Sequence, residues 1–370
     1  MDELSVHTGF PGGNGQVDDV AASLIRFRPD LRDTEGDWFY WNFQVSGVAG
    51  QEVVFELPQK GLIGSLGPAL SLDDGATWTW LGRASVEEDR RFRVAFAAGQ
   101  NHARLAVAIP YTLTQWNDFR RGTTWPADAE INTLCQSRHG RAVPLVELPA
   151  RGGSACTVVV TARQHACEAM ANYALEGILS SWRQDGPTPR LRAVPFVDLD
   201  GVERGDQGKN RRPHDHNRDY GGDHLYPETR AIAELIRAAG PHVLVVDLHC
   251  PYLHGGPNEL AFLVGTENAT NAQAQRSLAA ILERVADGLP FRRTNFVPFG
   301  TDWNCAAGYA KGKSLATWSS EQAHCRLAST VEIPYSLASG ITVTPDTARR
   351  FGAALGRALR EFAAPPARPR

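Results

Sequence analysis

Residues 157–168, TVVVTARQHACE, place two side chains that can bind metals directly after a run of β-branched residues. The run at 157–161 (TVVVT) is continuous, which predicts a strand buried on both faces of a sheet. His165 and Glu168 follow it three residues apart, so we expect them to open a helix and share one of its faces. Because α/β sheets bind ligands at the carboxyl ends of their strands, the stretch predicts a metal site at that edge.

The pattern around this stretch alternates between strands and helices from about residue 141 onward. Apolar runs at 143–148 and 242–248 predict further strands, and helical patterns cover residues 169–182, 227–239, 267–286 and 345–362. Pro227 near the start and Gly240 just past the end mark the clearest helix. Such alternation predicts an α/β catalytic domain with a mixed, mainly parallel sheet.

The first third of the chain has a different pattern that contains only strands. Short strands are predicted at 38–45, 53–57, 92–96 and 103–109, and the DDG at 73–75 predicts a hairpin. Short strands without intervening helices predict an antiparallel β-sandwich. We therefore expect two domains, residues 1–115 and 116–370, with a helix and a polar connection at 112–134 and a frayed tail at 363–370.

The composition limits the classes of function that the chain can have. Of its 370 residues, 42% are hydrophobic and 21% charged, as in an ordinary globular protein. A formal net charge of -3 argues against nucleic-acid binding, which requires a basic surface. The sequence shows no leader pattern, no apolar run of the ~20 residues that would span a membrane, and only scattered cysteines. These features predict a cytoplasmic protein with free thiols and no membrane association, and they leave its oligomeric state open.

A third candidate ligand, His249, follows the predicted strand at 242–248. At the carboxyl end of a second strand it can bind the same metal ion as His165 and Glu168, although a buried, hydrogen-bonded histidine is the alternative. Asp247 shares its strand face, either as a partner of the ligand or as an ordinary core aspartate. Two nitrogens and one carboxylate suit Zn²⁺, with one position left open for water.

Two further groups of polar residues complete the candidate site. Asn217 and Arg218 lie in a polar loop, where an amide and a guanidinium can bind a carboxylate or can form ordinary surface salt bridges. Glu332 stands alone in the apolar run 331–335 (VEIPY), which is costly unless the carboxylate has a task or a partner. Beside a metal ion it can take a proton from bound water, whereas on an edge strand it would face solvent.

The order of these residues resembles that of the M14 zinc carboxypeptidases. The match comprises His165-x-x-Glu168, Asn217-Arg218, His249 and Glu332, with the segments 200–202 (DGV), 227–228 (PE) and 247–249 (DLH) around them. Segments 10–14 (FPGGN), 37–40 (DWFY), 110–111 (PY) and 136–141 (QSRHGR) resemble the cytosolic carboxypeptidase branch of that family, in its bacterial type. The resemblance covers nearly the whole chain and implies a carboxypeptidase fold.

The resemblance also implies an activity and a role for each matching residue. Zn²⁺ would be bound by His165, Glu168 and His249, Glu332 would be the general base, Asn217 and Arg218 would hold the substrate's terminal carboxylate, and Tyr309 would close over the substrate. The implied reaction is hydrolysis of the C-terminal peptide bond of a peptide or protein tail. The alternatives are a zinc amidohydrolase for small N-acyl amino acids and a catalytically inactive module that binds C-terminal tails.

Two positions depart from the family pattern. The usual Pro-Gly pair between the first two ligands is Ala166-Cys167 here, and the position of the oxyanion-stabilising arginine falls on Gly208. If the family's charge is present, Arg211 or Lys209 must supply it, and we favour Arg211.

Two cysteines neighbour the candidate ligands. Cys167 lies between His165 and Glu168, and Cys250 directly follows His249. A thiol near a metal ion and a helix start has its thiolate favoured, and thiolates are what oxidants attack. We therefore expect Cys167 to be a site of oxidative inactivation, the alternative being that both thiols point into the core and are inert.

Overall fold

The computed structural model describes residues 3–183 and 187–364, in which an all-β region precedes an α/β region. The tail that we predict to fray lies, from residue 365 on, outside the described residues. No helix within the described ranges is long and apolar enough to cross a membrane. Buried hydrophobic side chains of the two regions form one continuous cluster, so the two regions share a core.

The all-β region forms two five-stranded sheets. Its elements are β1 (Ser5–His7), β2 (Gln16–Ala21), β3 (Leu24–Arg28), β4 (Asn42–Ser46), β5 (Glu52–Glu56), β6 (Ala69–Ser71), β7 (Thr79–Trp80), β8 (Val86–Glu87), β9 (Arg91–Ala95), β10 (His102–Ala106) and the following helix α1 (Leu113–Gly122). The sheet orders are β1-β4-β10-β6-β7 and β2-β3-β5-β9-β8. The predicted boundary between residues 115 and 116 falls inside α1, and the division into two domains stays a prediction.

Aromatic side chains fill the space between these two sheets. Phe27 of β3 meets Trp41 and Phe43 edge-on at ring-centroid distances of 5.1 and 4.8 Å, and Trp41 stacks on Phe92 at 5.8 Å. The pair β3–β5 is parallel, so the prediction of a purely antiparallel arrangement is wrong there. The reason is that the chain crosses from β3 into β4 of the other sheet and returns as β5 in the original direction.

The α/β region is built around one eight-stranded sheet. Its strands are β11 (Glu130–Gln136), β12 (Ala142–Leu148), β13 (Cys156–Ala162), β14 (Arg190–Val194), β15 (His242–His249), β16 (Phe262–Val264), β17 (Phe296–Val297) and β18 (Cys325–Glu332), and a small hairpin follows with β19 (Leu337–Ala338) and β20 (Ile341–Thr342). Its helices are α2 (Met170–Ser181), α3 (Leu199–Arg204), α4 (Pro227–Arg237), α5 (Ala269–Val285), α6 (Leu315–Ser320) and α7 (Pro345–Ala363).

The order of this sheet is β11-β12-β14-β13-β15-β18-β16-β17, and the prediction of a mixed, mainly parallel sheet is confirmed. The central strands β14, β13, β15 and β18 are parallel to one another, whereas β12 and β16 join them antiparallel. The polar connection that we predict before residue 134 instead contains the edge strand β11. Since β11 pairs only with β12 and is largely exposed, it lacks the apolar run that identifies the central strands.

Three neighbouring parallel strands carry the candidate residues to one edge of the sheet. Thr161 of β13 lies opposite Asp247 of β15. His249 at the end of β15 lies opposite Glu332 at the end of β18. Because the strands run in the same direction, their carboxyl ends meet and bring these side chains together.

Candidate metal centre

His165 and Glu168 lie in a turn between β13 and α2, not on a helix. The expectation of a shared helix face is wrong, because α2 begins only at Met170. Arg163 holds the turn: it adopts a φ of 63° and is 2% exposed, and its guanidinium donates to the carbonyl of Tyr111 at 2.8 Å. Its side chain also donates to the carbonyl of Ala166, so the turn is tied down from inside.

The structure brings His165, Glu168 and His249 together as one buried group. Their ligand atoms lie within 4.8 Å of one another, a spacing at which they could hold a metal ion. His165 Nδ1 is 2.7 Å from Glu168 Oε1, and His249 Nδ1 is 2.8 Å from Glu168 Oε2. All three side chains are 2% exposed. Charged groups buried to this extent require a partner of opposite charge.

Two outer carboxylates lie beside the other nitrogens of the histidines. His249 Nε2 lies 2.8 Å from Asp247 Oδ2, which is the partner that the strand alternation suggests. His165 Nε2 lies 3.2 Å from Asp215 Oδ1. A proton on each Nε2 leaves the lone pair of Nδ1 directed at the centre of the group, the arrangement found around metal-binding histidines. The donor set therefore fits a metal ion.

The electrostatics of the group favour a positive charge at its centre. Burial by itself raises the pKa of Glu168, but the charges of His165 and His249 outweigh it and hold this pKa well below its usual range. Burial opposes a charge on His249, yet Asp247 and Glu168 hold its pKa well above the usual value. Three buried carboxylates thus face two imidazoles, and a bound cation would supply the charge that they lack.

Glu332 lies at the cavity that His165 and His249 also line, and it is 7% exposed. The cavity has a volume of about 350 Å³. The pKa of Glu332 is raised to about 7, mainly by burial and also by the neighbouring charge of Glu168, against the opposing charges of His249 and Lys209. Its Oε2 has no hydrogen-bond partner within the described part of the chain, so this carboxyl group is available for a reacting molecule.

The three candidate substrate-binding residues line the same cavity. Asn217 lies in a short turn at His216–Arg218; its Nδ2 is 3.3 Å from His249 Nε2, and its Oδ1 accepts from the Leu315 amide at 3.1 Å. The Arg218 guanidinium donates to the carbonyl of Gly308 at 3.1 Å and lies 4.8 Å from the ring centroid of Tyr309. Nη1 of Arg218 also donates to the carbonyl of Asn217 at 2.7 Å, so the chain occupies part of the donor set of this guanidinium.

Arg211 does not reach this cavity. Its guanidinium donates to Asp206 at 2.9 Å and to Asp198, and it lies 3.7 Å from Asp33. Lys209, in contrast, lines the cavity and is one of the charges that act on Glu332. Our preference for Arg211 over Lys209 is not supported, because three buried aspartates pair with the arginine.

The structure explains why glycine occupies position 208. Gly208 has a φ of +80°, and a Cβ added there would lie 2.1 Å from the backbone nitrogen of Ala166. Its own amide donates to Asp33 at 2.8 Å. The loop is therefore pressed against the turn that carries His165, and a side chain at this position is sterically excluded.

The predicted thiolate at Cys167 is contradicted by the structure. Cys167 is 0% exposed, and burial raises its pKa to about 12. Its Sγ accepts hydrogen bonds from Trp38 at 3.4 Å and from Tyr335 at 3.7 Å. Burial also raises the pKa of Cys250 well above its usual value. The alternative, that both thiols point into the core, agrees with their burial, which makes a thiolate costly.

Three residues of the site carry weaker sequence signals. Asp215 could have been found from its place two residues before Asn217, which suits a capping side chain. Trp38 and Tyr252 line the cavity from distant parts of the chain, and only the aromatic character of residues 37–40 points to one of them. Their placement depends on how the two regions pack, which no local pattern encodes.

Comparison with known proteins shows the fold. No protein-family model and no curated protein matches the sequence. Among solved structures, the chain resembles a metallo-carboxypeptidase from Burkholderia cenocepacia with a TM-score of 0.79 and 18% identity, over 98% of this chain and 99% of that one. It also resembles a metallo-carboxypeptidase from Pseudomonas aeruginosa in complex with (2-guanidinoethylmercapto)succinic acid, with a TM-score of 0.76 and 18% identity, over 97% and 100% of the two chains. The chain has the carboxypeptidase-like fold of these proteins along its whole described length.

Proposed function

We propose that the chain is a zinc-dependent metallocarboxypeptidase that hydrolyses the C-terminal peptide bond of a peptide or protein tail. The observation that carries the proposal is the buried group of His165, Glu168 and His249, whose two histidines line one cavity with Glu332 and Arg218. Such a cavity combines histidines of a metal-binding donor set, a carboxyl group with a raised pKa and a guanidinium. Similarity of fold to metallo-carboxypeptidases agrees with this proposal without proving it.

The ligand set favours zinc among the metals. Two imidazole nitrogens and a carboxylate are the ligands that catalytic zinc sites use, with a further position left for water. Zinc bound there would polarise the scissile carbonyl and lower the pKa of water. Asp215 and Asp247 orient the rings of His165 and His249 for that ion.

Glu332 is the group that moves the proton in this proposal. As a carboxylate it takes a proton from water at the site and later gives it to the leaving amine. A pKa of about 7 is suited to both steps, because the group then accepts and releases a proton near neutral pH. Lys209 supplies the positive charge that stabilises the developing oxyanion. The sequence alone favours Arg211 for this role.

Arg218 and Asn217 bind the terminal carboxylate of the substrate. A guanidinium forms two parallel hydrogen bonds with a carboxylate, and its position against Tyr309 fixes its plane. We further propose that Tyr309 closes over the bound substrate. The proposal has two further parts. One is that the chain divides into domains at residues 1–115 and 116–370, and the other is that it is related to the cytosolic carboxypeptidase branch.

One assay tests the proposal against its alternatives. The purified protein is analysed for metal by mass spectrometry and incubated with a peptide library whose members differ in the last two residues. We expect one zinc per chain, release of single C-terminal residues, and inhibition by (2-guanidinoethylmercapto)succinic acid, the compound bound to the Pseudomonas protein.

Matched peptides with an amidated C-terminus serve as the control, because amidation removes the charge that Arg218 would bind. Equal cleavage of free and amidated peptides would contradict the proposal. Cleavage of small N-acyl amino acids alone would favour the amidohydrolase. Zinc and peptide binding without turnover would favour the inactive binding module.

A further inference from the structure

Trp38 brings the N-terminal β region into the candidate catalytic cavity. It lies between β3 and β4, and its indole nitrogen donates to Cys167 Sγ at 3.4 Å. Its ring stacks on Phe39 at a centroid distance of 5.0 Å and meets Tyr252 edge-on at 5.5 Å. Because Phe39 is 0% exposed, one face of the indole is fixed against the core, while another part of the ring borders the cavity.

Tyr252 presents apolar surface to the same part of the cavity. It lies three residues after His249 and is 38% exposed, one of the large hydrophobic side chains that the core does not cover. The planes of the two rings meet at 77°, so together they form a corner. We call Trp38 and Tyr252 the aromatic corner.

The aromatic corner and the carboxylate-binding residues belong to different groups of contacts. Arg218 contacts Gly308 and Tyr309. The corner is linked instead to Lys209, whose Nζ lies 5.7 Å from the centroid of the Trp38 ring. Across residues 3–183 and 187–364, no hydrogen bond, ion pair or ring contact joins the two groups directly, yet both line one cavity with the ligand group.

Within the proposed function, the separation of these two groups favours one direction for a bound peptide. With its terminal carboxylate at Arg218 and its scissile carbonyl at the ligand group, the peptide would leave on the side of Lys209. The residue before the scissile bond then lies beside the aromatic corner. An aromatic side chain there would gain both apolar burial and ring contact with two differently oriented rings.

We propose that the aromatic corner binds the side chain of the residue that precedes the scissile bond and favours an aromatic residue at that position. The inference rests on the proposed function, since it takes Arg218 as the carboxylate-binding residue. It also gives the N-terminal β region a part in catalysis, because Trp38 completes the substrate site from outside the α/β region.

The test compares two peptides that differ only in the residue before the C-terminal one, phenylalanine or glycine. We expect kcat/KM of the full-length zinc-loaded protein to favour phenylalanine by on the order of tenfold, the scale of a hydrophobic specificity contact. Trp38→Ala and Tyr252→Ala should each reduce this ratio several-fold. Trp38→Phe loses the hydrogen bond to Cys167 but keeps an aromatic ring. It should therefore retain most of the preference for phenylalanine.

A tryptophan at the other end of the cavity provides the matched control. Trp303 lines the cavity, is 49% exposed, and its carbonyl lies close to Gly308. Trp303→Ala should leave the ratio between the two peptides unchanged. An unchanged ratio in both Trp38→Ala and Tyr252→Ala, with zinc content and melting temperature like those of the parent, would overturn the inference.

A binding measurement separates this inference from the proposed function. Calorimetry compares the dipeptides Phe-Phe and Gly-Phe on the zinc-loaded parent and on Trp38→Ala. If the parent cleaves no peptide but binds Phe-Phe more tightly in a manner that depends on Trp38, the proposed function fails and the aromatic corner stands. Equal binding of the two dipeptides by the parent would overturn the aromatic corner whatever the turnover.

Discussion

Two buried clusters of charged residues each include residues of the loop at 206–218. They differ in the groups that compensate the buried charge. Around Arg211, three aspartates face a guanidinium that carries a permanent charge. Around His165 and His249, three carboxylates face imidazoles whose charge depends on protonation. Arg32 and Arg204 also pair with Asp206, so the chain itself supplies three guanidinium groups for the three aspartates of the first cluster, whereas the second favours a cation from outside. The comparison teaches that a buried charge alone does not identify a site; the kind of partner does.

The largest effect is expected from His249→Ala. This variant removes one ligand and the support that Asp247 gives, so zinc content should fall from one per chain to near zero. Peptidase activity should drop by more than about a thousandfold, since metal catalysis contributes several kcal/mol. Mass spectrometry and kinetic assays measure the two effects. His242→Ala, at the exposed start of the same strand, is the matched control, and stoichiometric zinc in His249→Ala would refute the ligand assignment.

Arg211→Met should act on folding rather than on the metal. It leaves Asp198 buried without its guanidinium partner and removes one of the three arginines that pair with Asp206, so we expect the free energy of unfolding to fall by about 3–5 kcal/mol. Denaturant titration measures the loss. Arg212→Met, at an exposed neighbour whose side chain is 65% exposed, should change stability by less than about 0.5 kcal/mol. Unaltered stability in Arg211→Met would remove the distinction between the two clusters.

Glu332→Gln should separate chemistry from binding. The amide keeps the shape of the side chain but cannot accept a proton, so turnover should fall by about 100-fold or more while zinc stays bound. Steady-state kinetics and metal analysis on the same sample test this. Near-normal turnover would mean that the raised pKa of Glu332 results from burial without a catalytic role.

Lys209→Met should lower kcat by about 100-fold, which is the scale of one oxyanion-stabilising group. It should leave the stability nearly unchanged, because the side chain is only partly buried. Lys209→Arg restores the charge and should recover part of the rate. If Lys209→Met retains full activity, the charge beside the scissile carbonyl comes from elsewhere in the chain.

The smallest expected effect concerns Glu228, which lines a second polar cavity with Asp198 and Arg211. Burial raises the pKa of Glu228 to about 7, above its usual value of 4.5. The folded state therefore binds the proton more tightly, and its stability falls as the pH rises from about 4.5 to 7. Glu228→Gln should be more stable than the parent by about 2–3 kcal/mol at pH 8 and equal to it near pH 4. Thermal unfolding at both pH values checks this, and a constant difference would contradict it.

The elements that could be predicted from the sequence are those with a strong periodic pattern. The β-branched run before His165 and the apolar run before His249 identify two central strands, and strand direction then brings the candidate ligands together. Strand β11 was not predicted, because this exposed edge strand lacks a continuous apolar run. The turn at His165 shows the limit of local geometry, since side chains three residues apart also meet outside a helix.

The predictions for Arg211 and Cys167 have a common weakness. Both predictions relied on closeness along the chain, whereas the outcome depends on what surrounds each side chain in three dimensions. Arg211 is held by Asp198, Asp206 and Asp33, the last of which lies far away in the sequence. Cys167 is enclosed by Trp38 and Tyr335, again from distant segments. Such surroundings form only when the two regions pack together.

The contact between Gly208 and the Ala166 backbone restricts how this protein can evolve. A single-nucleotide change can convert glycine into arginine, so an arginine at position 208 is within easy mutational reach. Here that step is blocked, because the new Cβ would collide with the turn that carries His165. A lineage with this turn can place an arginine at that position only after the turn itself has changed. Selection for a stronger positive charge in the cavity would therefore act first on position 209.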